Sequence, residues 1–441
     1  MPRARLTEGK VGITLFRLTV PMVFGTFSIV VFNLADTYFV GRLGTGPLAA
    51  LSFTFPVVLV VGSLAMGLGI GASALISRAV GEGNHHRVER LTTDSLLLAL
   101  FVVAVFAAVG YFTVDPLFRA LGAGRELIPL IREYMKIWYL GMIFIVVPMV
   151  GNNAIRAVGD SLTPGVIMTV AAAVNVIADP IFIFGMGPFP RMGISGAAVA
   201  TVIARATTFA VALIVLLFRE KMITFKPVSA SALSRSWSRI LYLGLPMAGA
   251  RIVMPIGLGV ITRMVASFGH EAVAAFGVSW RIEFFAMAVI MALSSILSPF
   301  VGQNWGAAMF ERVKLAVKYS DRFSLLWGFA MAVVLAFLGG PIASLFSQDP
   351  HVIAATRTYM SIVPVGYGLG GVLVLSAAAM NVLHRPIQAS ALMISQMFLL
   401  AIPLAFILSR YMGLSGIFLS LMLSYVISGA ASYYVLKSIC L

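Results

Sequence analysis

Long apolar runs alternate with short polar breaks from one end of this chain to the other. A helix of about 20 apolar residues crosses a hydrocarbon core of about 30 Å. Runs of that length centre near residues 28, 60, 102, 140, 174, 205, 252, 285, 328, 365, 397 and 425. The pattern predicts an all-α polytopic membrane protein with twelve transmembrane helices, and an even number of crossings leaves both termini on one side.

Composition agrees: 60% of the residues are hydrophobic, 11% are charged and the mean hydropathy is +1.01, too apolar for a soluble chain. The formal charge of +15 would suit a polyanion, but the basic residues are scattered through short connections. Arg3, Arg5 and Lys10 precede the first span, Arg78, Arg87 and Arg90 follow the second, Arg219, Lys221, Lys226, Arg235 and Arg239 follow the sixth, and Arg312, Lys314, Lys318 and Arg322 follow the eighth. Arg42, Arg119, Arg125, Arg191, Arg357 and Arg410 are spread thinly over the alternate connections. Basic residues favour the cytoplasmic side, so both termini and the stretch 219–238 are expected there, in a cell membrane, with no nucleic-acid partner. Cys440 is the only cysteine, which excludes a disulfide framework or thiolate cluster. The first apolar run is too long for a signal peptide and lacks a small-residue cleavage pattern, so it reads as a retained span.

The chain also repeats itself. At an offset of 225, Pro21-Met22 falls on Pro246-Met247, Gly44 on Gly269, Ala49-Ala50 on Ala274-Ala275, Arg87-Val88 on Arg312-Val313 and Tyr134-Met135 on Tyr359-Met360. Later, Met192-Gly193 aligns with Met412-Gly413 at an offset of 220. This is a duplicated six-helix unit. Six crossings per copy give the two copies the same orientation, related by a pseudo-twofold axis along the membrane normal. The expected lobes are 1–218 and 239–441, joined by a basic, Ser-rich connection at 219–238.

Against that background three of the sixteen acids stand out as intramembrane, Asp36, Asp179 and Glu283, and such residues mark ion or substrate pathways by default. Asp179 is the only charge between Ser161 and Pro190. Asn175 lies four residues earlier, on the same helix face, and Pro180 denies the preceding turn a donor and frees a carbonyl. Asp36 lies roughly 27 Å along its helix from the basic end. In the second copy Asp36 falls on Ile261 and Asp179 near Ile402, so the two acids belong to the first lobe alone. Two carboxylates sharing a low-dielectric pocket cannot easily both stay charged, so the pair is suited to taking up a cation. Glu283 has Arg281 two residues away on another face, and structural pairing with Arg251 competes with a second-lobe charge site at Glu283 and Arg281. Arg205 is a further intramembrane charge without an assigned role. Met254, Met287 and Met291 offer an adaptable apolar surface for varied substrates, against ordinary packing. The histidines form no ligand-like cluster, and Gly62, Gly67, Gly69 and Gly71 on the second helix read as close helix contact.

With these features in place, the chain resembles the multidrug and toxic compound extrusion (MATE) family, on ADTYFVGRLG at 35–44, GNNAIRAVGD at 151–160, NVIADPIFIFG at 175–185, GISGAAVAT at 193–201 and SPFVGQNWGA at 298–307. The match looks most like the archaeal and DinF-like branch. It implies a V-shaped pair of six-helix bundles that exports amphipathic, often cationic small molecules by alternating access, driven by inward flow of H⁺ or Na⁺, with no cofactor, as a monomer. By matching strings it implies a cation-coupling site at Asp36, Asn175, Asp179 and Thr201, with Asn152 or Asn153 nearby, whose oxygens would also suit Na⁺. A second-lobe cation site of the NorM type is not expected, since no Asp or Glu lies between Arg239 and His270 or between His351 and Met380. Two other readings stay open: a flippase for a lipid-linked substrate, and an intramembrane enzyme using Asp36 and Asp179 as an acid pair.

Overall fold

The computed structural model describes residues 6–440, so Arg3 and Arg5 lie outside it, as does the side chain of Cys440. Among the described residues every regular element is helical. Twelve spans follow in order: α1 (Val11–Gly41), α2 (Thr45–Gly81), α3 (His85–Ala120), α4 (Ile128–Gly141 with Ile143–Ala157), α5 (Leu162–Phe184), α6 (Ile194–Arg219), α7 (Ala230–Ala266), α8 (His270–Gly306), α9 (Phe310–Ser344), α10 (Pro350–Val382), α11 (Pro386–Met412) and α12 (Leu414–Ile439). Eleven are apolar and long enough to cross a membrane alone, and α4 does so as two halves bent by 43°. The membrane architecture read from hydropathy is therefore the one found.

The duplication is written into the turns. Gly44 and Gly269 precede α2 and α8 with φ of 118° and 108°, and Gly193 and Gly413 precede α6 and α12 with φ of 58° each. A residue with a Cβ rarely adopts these angles, so glycine is required at the same corner of each half. Outside the corners the helices are less regular than their patterns suggest. Wide π-type turns close α6 at Val215–Arg219 and interrupt α11 at Gln396–Ala401, and a tight 3₁₀ turn at Val363–Gly366 interrupts α10 beside Pro364.

The chain packs as two compact units. One is built on Val20–Ala248; the other takes Thr7–Thr19 together with everything described from Gly249 onward. The divisions fall inside α1 and α7, while the connection after α6 is non-helical only over 220–229. In the first unit α2 meets α7 backbone to backbone: a Cβ on Gly67 would stand 2.6 Å from the Gly244 carbonyl oxygen, and one on Gly71 would press still closer on that of Ile240. Gly69 lies against Asn153, whereas Gly62 has no such neighbour within 4 Å. Three of the four glycines thus serve close contact, the form helix association takes where lipid removes the hydrophobic driving force. The second unit closes over a core that includes Ile261, Phe276, Tyr359, Tyr367 and Phe418.

Candidate cation-coupling site

The site grows from one helix face. Asn175 and Asp179 are one turn apart on α5 and fully buried, and the Asn175 Nδ2 donates to Asp179 Oδ1 at 3.2 Å. This leaves Asn175 Oδ1 and Asp179 Oδ2 buried with no hydrogen-bond partner. Pro180 has no N–H for the carbonyl of Val176, so a further oxygen of the same turn lacks its helical donor.

Three other helices bring the remaining groups. From α1, Asp36 presents a buried Oδ1 that also lacks a partner; its carboxylate interacts with Arg205 of α6 and acts in turn on Asp179. The Arg205 guanidinium stands 4.4 Å from the ring centroid of Phe32, one turn before Asp36, a cation–π contact that holds it at this depth. From α4, the buried Tyr134 phenol adjoins the Thr201 hydroxyl of α6 and interacts with Asp36, Asp179 and Arg205. Asp36, Asp179, Thr201 and Tyr134 each lie five to seven residues from the end of their helices on the side away from the basic loops, or about 8–11 Å deep at 1.5 Å per residue. Phe32, Ala172 and Ala204 pack together beside them, tying α1, α5 and α6 at this level.

The charge arithmetic is simple. With Asp36 and Asp179 ionised and Arg205 protonated, the cluster carries one net negative charge that no described group balances. Burial makes such a charge costly, and one monovalent cation cancels it.

The structure does not bring Asn152 and Asn153 to this cluster. Asn153 Nδ2 donates to the Met149 carbonyl at 2.8 Å and its Oδ1 accepts from Arg156 at 2.6 Å. Both asparagines lie near Ala157, at the far end of the span that carries Tyr134, and the Asn152 Oδ1 is buried without a partner there.

Glu283 on α8 corrects the pairing weighed for it. Among the described residues no ion pair joins it to Arg251 or Arg281; Arg281 is exposed, its position two residues earlier placing it off the buried face. Instead Tyr359, Tyr367 and Tyr425 donate to the carboxylate at 2.5, 3.2 and 2.6 Å. Met254 and Met287 pack half-buried on the second unit's core, and Met291 is exposed. No group of three or more His, Cys, Asp or Glu side chains converges among the described residues.

Hydropathy also misplaced some acids. Helices α3 and α9 start within the basic stretches, ahead of their apolar runs, and so carry two further buried acids: Asp94, paired with Arg90 at 2.6 Å, and Asp321, whose two oxygens have no partner. Tyr134 sits among Arg132, Glu133 and Lys136 with Tyr139 in the same helix, so nothing in the sequence singles its phenol out as part of the site.

Comparison with known proteins gives the site its context. The family model MatE matches residues 21–181 and again 246–407, at the offset of the internal repeat. A protein of Shewanella oneidensis named "FAD transporter" is 38% identical over 99% of this chain and 97% of its own length. A Bacillus subtilis protein named "Probable multidrug resistance protein YoeA" is 27% identical over 89% of this chain and 86% of its own. Among solved structures, the Vibrio cholerae MATE transporter VcmN in its bent form superposes with a TM-score of 0.92 at 29% identity, covering 98% of this chain and 97% of that one. Matched by that model across most of both halves, the chain belongs to the MatE family and is a multi-pass membrane transporter, not an enzyme.

Proposed function

We propose that the protein is a cation-coupled antiporter that exports amphipathic small molecules, often cationic, through lobes 1–218 and 239–441 of a cell membrane, with both termini and the 219–238 connection cytoplasmic. The observation that carries this reading is the set of buried, unpartnered oxygens on Asp36, Asp179 and Asn175 around a single arginine. A proton would reside on one of the two carboxylates; Na⁺ would take the same oxygens, with the Thr201 hydroxyl beside them. Either ion removes the cluster's net charge, and with it the electrostatic cost of holding α1 against α5 and α6. Helix α1 has a place to respond. A Cβ on Gly165 of α5 would stand 2.6 Å from the Pro21 carbonyl oxygen, and one on Gly25 3.1 Å from the Gly165 Cα, so repacking of α1 there would be felt directly by α5. A ligand shifts such an equilibrium by its differential affinity for the two packings.

The test is purified protein in liposomes with an imposed H⁺ or Na⁺ gradient and a labelled organic cation. Uptake should follow one gradient and vanish in Asp36→Asn. Uptake that ignores both gradients would sink the coupling.

A second substrate reading is favoured by the 38% identity, along essentially the whole chain, to a protein named for FAD transport. Under it the exported molecule is an anionic flavin dinucleotide, and the coupling site is unchanged. Labelled FAD in the same liposomes separates the two, since each substrate competes with the other only if both are carried.

A further inference from the structure

Away from the acids, the basic residues that orient the chain are not all dispersed. In the first unit Arg87 and Arg90 at the start of α3 face Arg235 and Arg239 at the start of α7 across a cavity of about 250 Å³. Orientation alone would be served by charges anywhere in the loops; convergence on a cavity is a further property. Glu82 holds Arg87 at 2.6 Å and Asp94 holds Arg90 at 2.6 Å, while Arg235 and Arg239 have no carboxylate partner among the described residues. Arg90 Nε and Ser236 Oγ are buried there without hydrogen-bond partners. With four arginines and one aspartate on its walls, the cavity is short of negative charge.

Its surroundings are those of the membrane. On α3 the face bearing Arg87, Arg90 and Asp94 continues through Leu97 to Phe101, and on α7 the face bearing Arg235 and Arg239 continues to Tyr242. Leu97, Phe101 and Tyr242 are exposed, Phe101 by 55%. Eleven residues separate Arg90 from Phe101, about 16 Å of helix, so a cationic mouth passes into an apolar wall over about half a hydrocarbon thickness. Trp237 braces the junction, its Nε1 donating to the Asp94 carbonyl at 3.0 Å and its ring 5.4 Å from that of Phe101.

The second unit has the counterpart at the repeat offset of 225. There the start of α1 faces the start of α9 across a cavity of about 800 Å³ that Lys10, Arg312 and Arg322 line. Lys10 corresponds to Arg235 and Arg312 to Arg87, and the apolar continuation through Phe16 and Leu326 is 69% and 70% exposed. Both grooves stay net basic, with Asp94 in the first and Glu311 in the second as their only acids among the lining residues, and both keep an apolar extension, although most of their residues differ.

We propose that each groove holds the headgroup of an anionic phospholipid from the leaflet on the basic side, with its acyl chains along the apolar continuation. In the first groove Arg235 and Arg239 meet the phosphate oxygens with paired N–H donors, which lysine cannot match. In the second Arg312 is held by Asn304 and by the Glu8 and Gly9 carbonyls, so Lys10 and Arg322 meet the headgroup. Basic pockets between transmembrane helices are suited to such headgroups. A soluble phosphate would use the same cations but leave the apolar walls uncovered.

The test is native mass spectrometry of the full chain in detergent with phosphatidylglycerol, and with phosphatidylcholine of the same acyl chains. Two tightly held phosphatidylglycerol molecules per chain are expected, at a concentration roughly tenfold below that needed for phosphatidylcholine. Arg235→Gln with Arg239→Gln should leave one, Lys10→Gln with Arg322→Gln should leave the other, and Lys221→Gln, on the same side but outside both grooves, should leave two. Millimolar inorganic phosphate should displace neither. Equal retention of the two lipids, an unchanged count in the arginine variant, or displacement by phosphate would each overturn the proposal. If the double variant lowers the melting temperature, the exposed single change Arg235→Gln decides instead: a roughly fivefold weaker first site supports it, and no change overturns it.

Discussion

Replacing a carboxylate by its amide is the smallest change that tests the acid cluster, because shape is kept and one charge is lost. Asp36→Asn and Asp179→Asn should each lower gradient-driven transport at least about tenfold, the cost of one missing charge in a site that must bind a cation. Membrane levels should match the unchanged protein, read by quantitative immunoblot beside the transport assay. Normal coupled transport by both variants would refute the assignment. Asn175→Ala, which removes the 3.2 Å donor to Asp179, should weaken transport less than either. Glu283 should behave differently. Glu283→Leu strands the buried phenols of Tyr359 and Tyr367 and the half-buried one of Tyr425, at about 1–3 kcal/mol for each buried lost acceptor, and should lower the melting temperature in detergent sharply. Glu283→Gln keeps a carbonyl acceptor and should lie between. A Glu283→Gln protein that melts normally yet loses coupled transport would instead make this residue part of the ion pathway.

At the level of helices, the contact between α2 and α7 invites a volume test. Gly67→Ala and Gly244→Ala each drive a methyl into the carbonyl oxygen of the facing glycine, so the helices must separate. Each should lower the melting temperature or the yield of folded protein, while Gly62→Ala, with nothing near it, should not. Equal tolerance at all three positions would remove the contact from the account. The same glycines show what the chain discloses in advance. Their spacing announces a close neighbour, as the i, i+4 spacing of Asn175 and Asp179 announces a shared face, because both are properties of one helix. What stays hidden depends on a second element. Nothing near Glu283 in sequence points to Tyr359, Tyr367 and Tyr425, which reach it across 76, 84 and 142 residues. Asp321 was passed over since its flanks, Lys314, Lys318 and Arg322, read as a loop, whereas α9 begins at Phe310. The bend in α4 does leave local signals, Gly141 at the break and Pro148 five residues further on, whose missing N–H frees the Phe144 carbonyl; its angle depends on the neighbouring helices.

For the whole molecule the duplication fixes the scaffold and leaves the chemistry free to diverge. The glycine corners are held in both halves, yet the first gathers Asp36 and Asp179 about one arginine, whereas the second sets Glu283 under three phenols and buries Asp321 apart from it. If only the first half exchanges an ion, each cycle moves a single positive charge inward, and a monovalent cationic substrate leaving in return makes the exchange electrically silent. Steady-state accumulation in liposomes, measured at a fixed H⁺ or Na⁺ gradient while a K⁺ diffusion potential is varied, should then change by less than about twofold. The alternative is easily resolved, since one uncompensated charge is worth about 2.3 kcal/mol per 100 mV, close to 50-fold in the accumulation ratio. A response of that size with an organic cation would require a second coupling charge, and Glu283 would be the first place to look for it. An anionic dinucleotide gives the opposite expectation, because the ion entering and the anion leaving move charge in the same sense, and its accumulation should track the potential steeply.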